Sequence, residues 1–321
     1  MDKANSTEKH VVIGTGALGK AVVRELVSRG KAVRAVNRTG LADLPSEVEV
    51  VQADAMNLEE LQKVCLDAAV IYNCTNVPYA EWSEKLVPMI ENIISAAESA
   101  GAKLVHGDNL YMYGPVSTEM TEDLPNAATG PKGRIRAHIA DKIMQAHAQK
   151  RIRAAIGRAS NFYGPDVFDS IVGEKLFIAA LEGKAAQVLG DPDAPHTYTF
   201  IDDFAKGLIT LGEREEALGE IWHIPSGETL TTRQFIEMVY EEAGTPAKLS
   251  VAPKLGIAFL SLFSPFMRDV KEILYQFEKP FVMNHSKFES TFGANATPHR
   301  EAIRKTLEWC RMRARQTVET R

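Results

Sequence analysis

A chain of 321 residues, 45% hydrophobic and 25% charged, can bury a large core as one large domain or two joined ones, with the composition of a soluble globular protein. Its net charge of −5 and lack of a long basic run exclude a nucleic-acid binder, because phosphate affinity rests on clustered Lys and Arg; RMRAR (311–315) reads as a solvated helix end. Cys65, Cys74 and Cys310 lack metal-type spacing, MDKANSTEK lacks the apolar core of a secretory signal, and LGIAFLSLFSPFM (255–267) falls short of the roughly 20 residues of a membrane span, so a cytoplasmic protein without metal or membrane partner is expected.

In chain order, HVVIG (10–14), KAVRAVN (31–37), VEVVQAD (48–54), AAVIYNC (68–74), AKLVHGD (102–108) and RIRAAIG (151–157) read as strands, rich in Val and Ile with turn residues at their ends. Helical patterns separate them. In ALGKAVVRELVSRG, Leu18, Val22 and Leu26 recur at i+4 and Gly30 stands at the C-terminal cap. This alternation predicts an α/β fold, a Rossmann-like doubly wound parallel sheet. Beyond about residue 165 the pattern loosens into a strand and helix at 196–212, a short strand IWHIP (221–225), and mostly helical sequence to the end. The predicted organisation is a dinucleotide-binding domain of 9–165 plus 200–225, and a smaller, discontinuous, mostly helical C-terminal substrate lobe of 166–199 plus 226–321.

The segment GTGALG, with Gly14, Gly16 and Gly19, follows a strand and opens a helix. Glycines there allow a tight turn and let backbone N–H groups, including those of Ala17 and Leu18, approach a pyrophosphate that the helix N-terminus also favours. An NAD site places an acid about 20 residues on, yet the second strand ends Asn37-Arg38 with no acid until Asp43. Arg38 can pair with a 2′-phosphate, so NADP is favoured over NAD. Asp54, with Ala55 beside it, stands at the end of the third strand, where it would accept from the adenine amine or cap a helix.

The order of these motifs resembles the extended short-chain dehydrogenase/reductase superfamily, the NAD(P)-dependent epimerase/dehydratase group. VVIGTGALG, QAD (52–54), ENIISAAESAGAKLV (91–105), LYMYG (110–114), RASNFYGP (158–165), FIDDFAKG (200–207) and IWHIPSGETLTTRQF (221–235) carry the likeness, and SKFESTFGANATPHREAIRKTLEW (286–309) matches its C-terminal signature in type. The resemblance implies a serine or threonine after the fifth strand and a Tyr-x-x-x-Lys pair on the next helix. Here those positions hold Asn109, Lys132 and Arg136, so an atypical active site is expected.

Lys132 and Arg136, at i and i+4, repel by a few tenths of a kcal/mol, and Lys132 follows Gly130-Pro131, a helix start where a cation opposes the macrodipole. Their placement points to an anionic or hydroxyl-rich ligand, with Arg136 donating to the nicotinamide ribose and a partly desolvated Lys132 as proton donor; otherwise both are solvated side chains on an exposed helix. Tyr111 lies two residues after Asn109, so in an extended segment both would face the substrate, the phenol as acid and Asn109 as donor. The resemblance also places Asn73, Cys74 and Thr75 beside the nicotinamide ribose, Ser160, Asn161 and Phe162 near the reactive end of the cofactor, and Tyr79 and Trp82 in a loop over the substrate. His196 stands where nucleotide-sugar members have an arginine, which counts against such a substrate. Phe259, Leu260, Leu262, Phe263 and Phe266 read as lobe core or as the lining of an apolar pocket.

The expected function is an NADP-dependent oxidoreductase reducing a small carbonyl or related unsaturated substrate. The alternatives are a non-catalytic NADP-binding redox sensor and a nucleotide-sugar epimerase or dehydratase. A homodimer would pair the helices near 81–100 and 132–149, where Ile135, Ile139 and Ile143 form an apolar row compatible with a dimer seam or with packing on the sheet.

Overall fold

The structure, a computed structural model, describes residues 8–252, 264–293 and 296–319. Phe259, Leu260, Leu262 and Phe263 lie outside the described residues, as does the side chain of Phe266. The chain forms two compact units. Of the described residues, the first holds those up to Asp108, Arg134–Arg158 and Phe204–Trp222; the second holds Asn109–Gly133, Ala159–Asp203 and those from His223 onward.

The sheet of the first unit comprises β1 (Lys9–Ile13), β2 (Ala32–Asn37), β3 (Glu49–Gln52), β4 (Ala68–Asn73), β5 (Lys103–Asp108), β6 (Arg153–Arg158) and β11 (Ile221–His223), in the order β11-β6-β5-β4-β1-β2-β3. Every pairing from β3 through β6 is parallel. The order reverses after β3, where the chain returns past β1 to lay down β4, so the carboxyl ends of β1 and β4 flank the switch point at which such sheets take ligands. Val11, Val12, Ile71, Val105, Ala154 and Ala155 are fully buried, as parallel strands covered on both faces require. The helices α1 (Ala17–Ser28), α2 (Leu58–Cys65), α3 (Trp82–Ala100), α4 (Pro131–Ala148) and α6 (Ile201–Glu213) alternate with the strands. Gly30 ends α1 with φ +69° and donates to Val27 O at 2.8 Å, the left-handed closure expected of a glycine there. Ile139 and Ile143 are fully buried within the single chain and Ile135 is half-buried, so most of that row packs inward.

The second unit contains α5 (Glu174–Leu181), α7 (Thr232–Ala243), α8 (Pro265–Ile273), α9 (Tyr275–Glu278), α10 (Ser286–Phe292) and α11 (His299–Glu319). It also contains three two-stranded ladders: β7 (Asn161–Tyr163) with β10 (Tyr198–Phe200), β9 (Pro195–His196) with β12 (Leu230–Thr231), and β8 (Ala186–Val188) with β13 (Leu249–Val251). β10 is the strand expected at the start of 196–212; the other strands of two or three residues are too short for a period-two pattern and escape a sequence reading. At the core of the unit Tyr163 packs against Phe177, Phe200 and Phe235, and its hydroxyl bonds His299 Nδ1 at 2.9 Å. A capping box starts α7: Thr231 Oγ1 accepts from Gln234 N and Gln234 Oε1 accepts from Thr231 N.

Candidate active site

The glycine loop of the first unit is built for close backbone approach. Gly14 has φ +93°, and a Cβ there would lie 2.9 Å from Cys74 O. A Cβ on Gly19 would lie 1.8 Å from Gly14 O, so only glycine lets α1 start this close to the turn. A Cβ on Gly16 would meet nothing within 4 Å, leaving open space in front of the loop. Gly16 is the N-terminal cap of α1 and offers no side-chain acceptor, and Lys20 N makes the first helical bond back to its carbonyl at 2.9 Å. The N–H groups of Ala17, Leu18 and Gly19 thus precede the first intrahelical donor, and they suit a pyrophosphate.

Around this loop the strand ends are tied into turns. Asn37 Nδ2 donates to Thr15 Oγ1 at 2.8 Å and Leu41 O at 2.9 Å, while its Oδ1 accepts from Thr39 N and Gly40 N. Asn37 therefore shapes the β2 loop, and the exposed Arg38 is the charged side chain at that strand end. Asp54 Oδ1 accepts from Met56 N at 2.9 Å, and Asn57 is the residue that caps α2. Ala55 is buried with its carbonyl held by Asn92 Nδ2 at 3.0 Å. Asn73 Oδ1 accepts from Thr75 N and Oγ1, fixing the turn after β4. Burial pushes the Cys74 thiol well above its ordinary pKa, so it stays protonated and serves as a wall of the loop.

Arg136 and Lys132 are not solvated: their relative exposures are 6% and 5%. Within the first unit, Arg136 NH1 lies 3.5 Å from Asp108 Oδ1, NH2 lies 3.4 Å from Asn76 Oδ1, and the guanidinium stands 4.3 Å from the Trp82 ring centroid. Arg158, the register partner of Asp108 on β6, brings its Nε to 3.4 Å from Asp108 Oδ2. His106 shares a face of β5 with Asp108 and takes a hydrogen bond from Asn73 Nδ2 on Nδ1 at 2.9 Å. Burial first, then the nearby Arg136 and Arg158, push His106 down to about 4, against the pull of Asp108. Asp108, Arg158 and His106 were missed by sequence reasoning. Their signal was the i, i+2 spacing on β5 and the arginine that opens RASNFYGP.

Trp82 does not sit in a loop. It is buried as the first residue of α3, its Nε1 donates to Val77 O at 2.9 Å, and Tyr79 packs edge-on against it at 5.0 Å.

In the second unit the segment after Asn109 is not extended. Asn109 Oδ1 accepts from Tyr111 N at 3.0 Å, and residues Tyr111–Tyr113 close a 3-10 turn, so the side chain of Asn109 is committed to its own backbone. Tyr111 and Lys132 line a cleft of about 160 Å³ with Gly130, Glu272 and Tyr275. Lys132 Nζ donates to Asp269 Oδ1 at 2.6 Å and to Glu272 Oε2 at 2.8 Å, and Lys132 N donates to Glu272 Oε1 at 2.8 Å. The anions called for by a lysine in the first turn of α4 are thus supplied by α8, whose Glu272 also takes up an orphan helix donor. Burial and the neighbouring Tyr111 push the Tyr275 phenol up, so it stays neutral.

His196 is a core residue. It stacks on Phe277 at 5.3 Å and on Tyr198 at 4.6 Å, accepts from Asn161 Nδ2 at 3.0 Å, and is pushed down to about 3 by burial. Asn161 is bound into this cluster and to Gln276 Oε1 at 3.2 Å, Phe162 is half-buried on β7, and Ser160 is buried with its N donating to Thr199 Oγ1 at 3.2 Å.

Comparison with known proteins agrees with this architecture. A dTDP-6-deoxy-L-talose 4-dehydrogenase (NAD(P)(+)) of Kitasatospora kifunensis is 24% identical over 260 residues, 76% of this chain and 81% of the relative. The sterol-4-alpha-carboxylate 3-dehydrogenase (decarboxylating) of Homo sapiens is 24% identical over 248 residues, 71% of this chain and 65% of the relative. The crystal structure of Thermus thermophilus UDP-glucose 4-epimerase in complex with NAD superposes with a TM-score of 0.78 at 18% identity, covering 94% of this chain and 99% of that one. The family model for NAD dependent epimerase/dehydratase matches residues 11–224, a span that runs from β1 through β11 and takes in the glycine loop, Lys132 and Arg136 on α4 and the buried Asp108. This chain belongs to the NAD dependent epimerase/dehydratase family.

Proposed function

We propose that the protein is an NADP-preferring oxidoreductase that reduces a small carbonyl or related unsaturated substrate. The observation that carries this is the glycine loop, whose Gly14 and Gly19 tolerate no Cβ and whose helix start has no side-chain cap. The exposed Arg38, at a strand end without an acid, favours the 2′-phosphate. The dehydrogenase relative of Kitasatospora kifunensis is named for use of NAD(P)(+), which supports a nicotinamide cofactor.

A bound nicotinamide supplies the hydride, leaving the protein to bind, orient and hold protons. The N–H groups of Ala17, Leu18 and Gly19 hold the pyrophosphate, and the turn of Asn73, Cys74 and Thr75 with Arg136 holds the nicotinamide ribose. The family resemblance is what assigns Ser160, Asn161 and Phe162 to its reactive end. The Tyr111 phenol and the Lys132 ammonium are the donors offered to negative charge developing on the substrate, and Asn109 holds Tyr111 in place through its turn. Epimerases and dehydratases of nucleotide sugars begin by removing a hydroxyl proton. No lysine-activated tyrosine stands on α4 for that step, which counts against those two reactions.

The test is direct. NADPH binding is followed by fluorescence, and its oxidation is measured across a panel of aldehydes, ketones and imines with wild type, Tyr111→Phe and Lys132→Met. Loss of turnover with intact NADPH affinity in either variant supports the reading. Full turnover in both removes the assigned donors, and tight binding without turnover on any substrate marks a nucleotide-binding regulator instead.

A further inference from the structure

The cleft of the second unit has a chemistry that also suits a cation. Its lining residues include Tyr111, Tyr275 and Glu272, together with Lys132. Next to it Asp269 and Glu272 share one ammonium, that of Lys132, so this ion cluster carries one more negative charge than positive. The basic residues that immediately precede the two acids on α8, Arg268 and Lys271, are exposed to solvent. The Tyr275 phenol is neutral and packs edge-on to Phe281 at 6.3 Å. Glu272 uses one lone pair on each oxygen for Lys132, and a carboxylate has about four acceptor sites, so it can accept from a further donor.

We propose that this cleft takes a protonated nitrogen and that the substrate is an iminium ion. The inference rests on the oxidoreductase reading above and names its substrate class. A carbonyl that accepts a hydride becomes an alkoxide and must be given a proton, the task of the tyrosine that this chain lacks. An iminium carbon accepts the same hydride with no proton transfer. The new C–H bond forms, the C=N π pair passes to nitrogen, and a neutral amine results as the reduced nicotinamide is oxidised. Replacement of the acid by a lysine neutralised by carboxylates is thus consistent with a working site. The aromatic walls and Glu272 hold the positive nitrogen before hydride arrives.

Binding is measured first without cofactor, by calorimetry of the full chain with pyrrolidinium and with cyclopentanol, a cation and a neutral ring of similar size. Wild type is expected to bind pyrrolidinium at least about tenfold more tightly, and Glu272→Gln and Tyr275→Leu each to lose most of that preference. The wild-type ratio needs no variant to fold. Turnover of 2-methyl-1-pyrroline and of cyclopentanone with NADPH is then compared, the imine being expected to react at least about tenfold faster in kcat/KM. Equal affinity for the two rings, or ketone reduction that outpaces imine reduction, overturns the iminium assignment and leaves the oxidoreductase reading standing. Failure to bind NADPH overturns both.

Discussion

Replacing Lys132 by methionine tests how the altered site is held together. The side chain is 6% exposed, and its amine bridges Asp269 and Glu272, which are 24% and 19% exposed. Removing one partner of a fully buried ion pair costs about 3–5 kcal/mol, because the other charge stays desolvated. Here both carboxylates keep some water, so about 2 kcal/mol is expected, and the backbone bond from residue 132 to Glu272 survives the change. With a urea dependence of about 2 kcal/mol per molar, that is a fall of about 1 M in the unfolding midpoint at constant slope. Adding Asp269→Asn to Lys132→Met removes one of the two stranded charges and is expected to recover about half the loss, so the pair is strongly non-additive. A midpoint unchanged by Lys132→Met, or additive single and double variants, would show that the two carboxylates do not hold this lysine in solution.

Gly19→Ala puts a methyl group against Gly14 O at 1.8 Å, and a backbone shift in the loop is expected to weaken NADPH binding at least about 100-fold; unchanged affinity in a fluorescence titration would rule out the loop as the cofactor cradle. Arg38→Ala is expected to raise the Kd for NADPH about 10- to 50-fold while changing that for NADH less than about threefold, and equal effects on both would remove the 2′-phosphate role. His106, near 4, and His196, near 3, are neutral when folded and titrate near the ordinary 6.5 when unfolded, so between these values the unfolded chain binds more protons. Stability is therefore expected to fall as the pH drops below about 6.5, by roughly 2 kcal/mol per histidine at pH 5, and His106→Gln should flatten the urea midpoint against pH; an identical slope in that variant would contradict a buried neutral imidazole.

Legibility followed the range of the interaction. The β1 loop reads directly from GTGALG because a tight turn and a helix start are local demands on residue type. Lys132 and Arg136 on α4 stood out in the sequence as two cations on one helix turn, but whether Lys132 was solvated or engaged did not. Its partners lie 137 and 140 residues further along the chain, and nothing in the segment from Lys132 to Arg136 encodes them. The pairing of Asn109 with Tyr111 failed in detail because it assumed an extended segment, whereas an asparagine that accepts from the N–H two residues on bends the chain into a turn.

The amino-acid order alone determined the alternation of strands and helices and the glycine loop, since each is set by backbone geometry over a few residues. The tertiary structure decided that Asp108 sits between Arg136 and Arg158, that His196 is stacked in an aromatic core, and that two carboxylates of α8 answer the charge of Lys132. These are long-range matches of charge, shape and desolvation, and such matches exist only once the chain has brought distant side chains together.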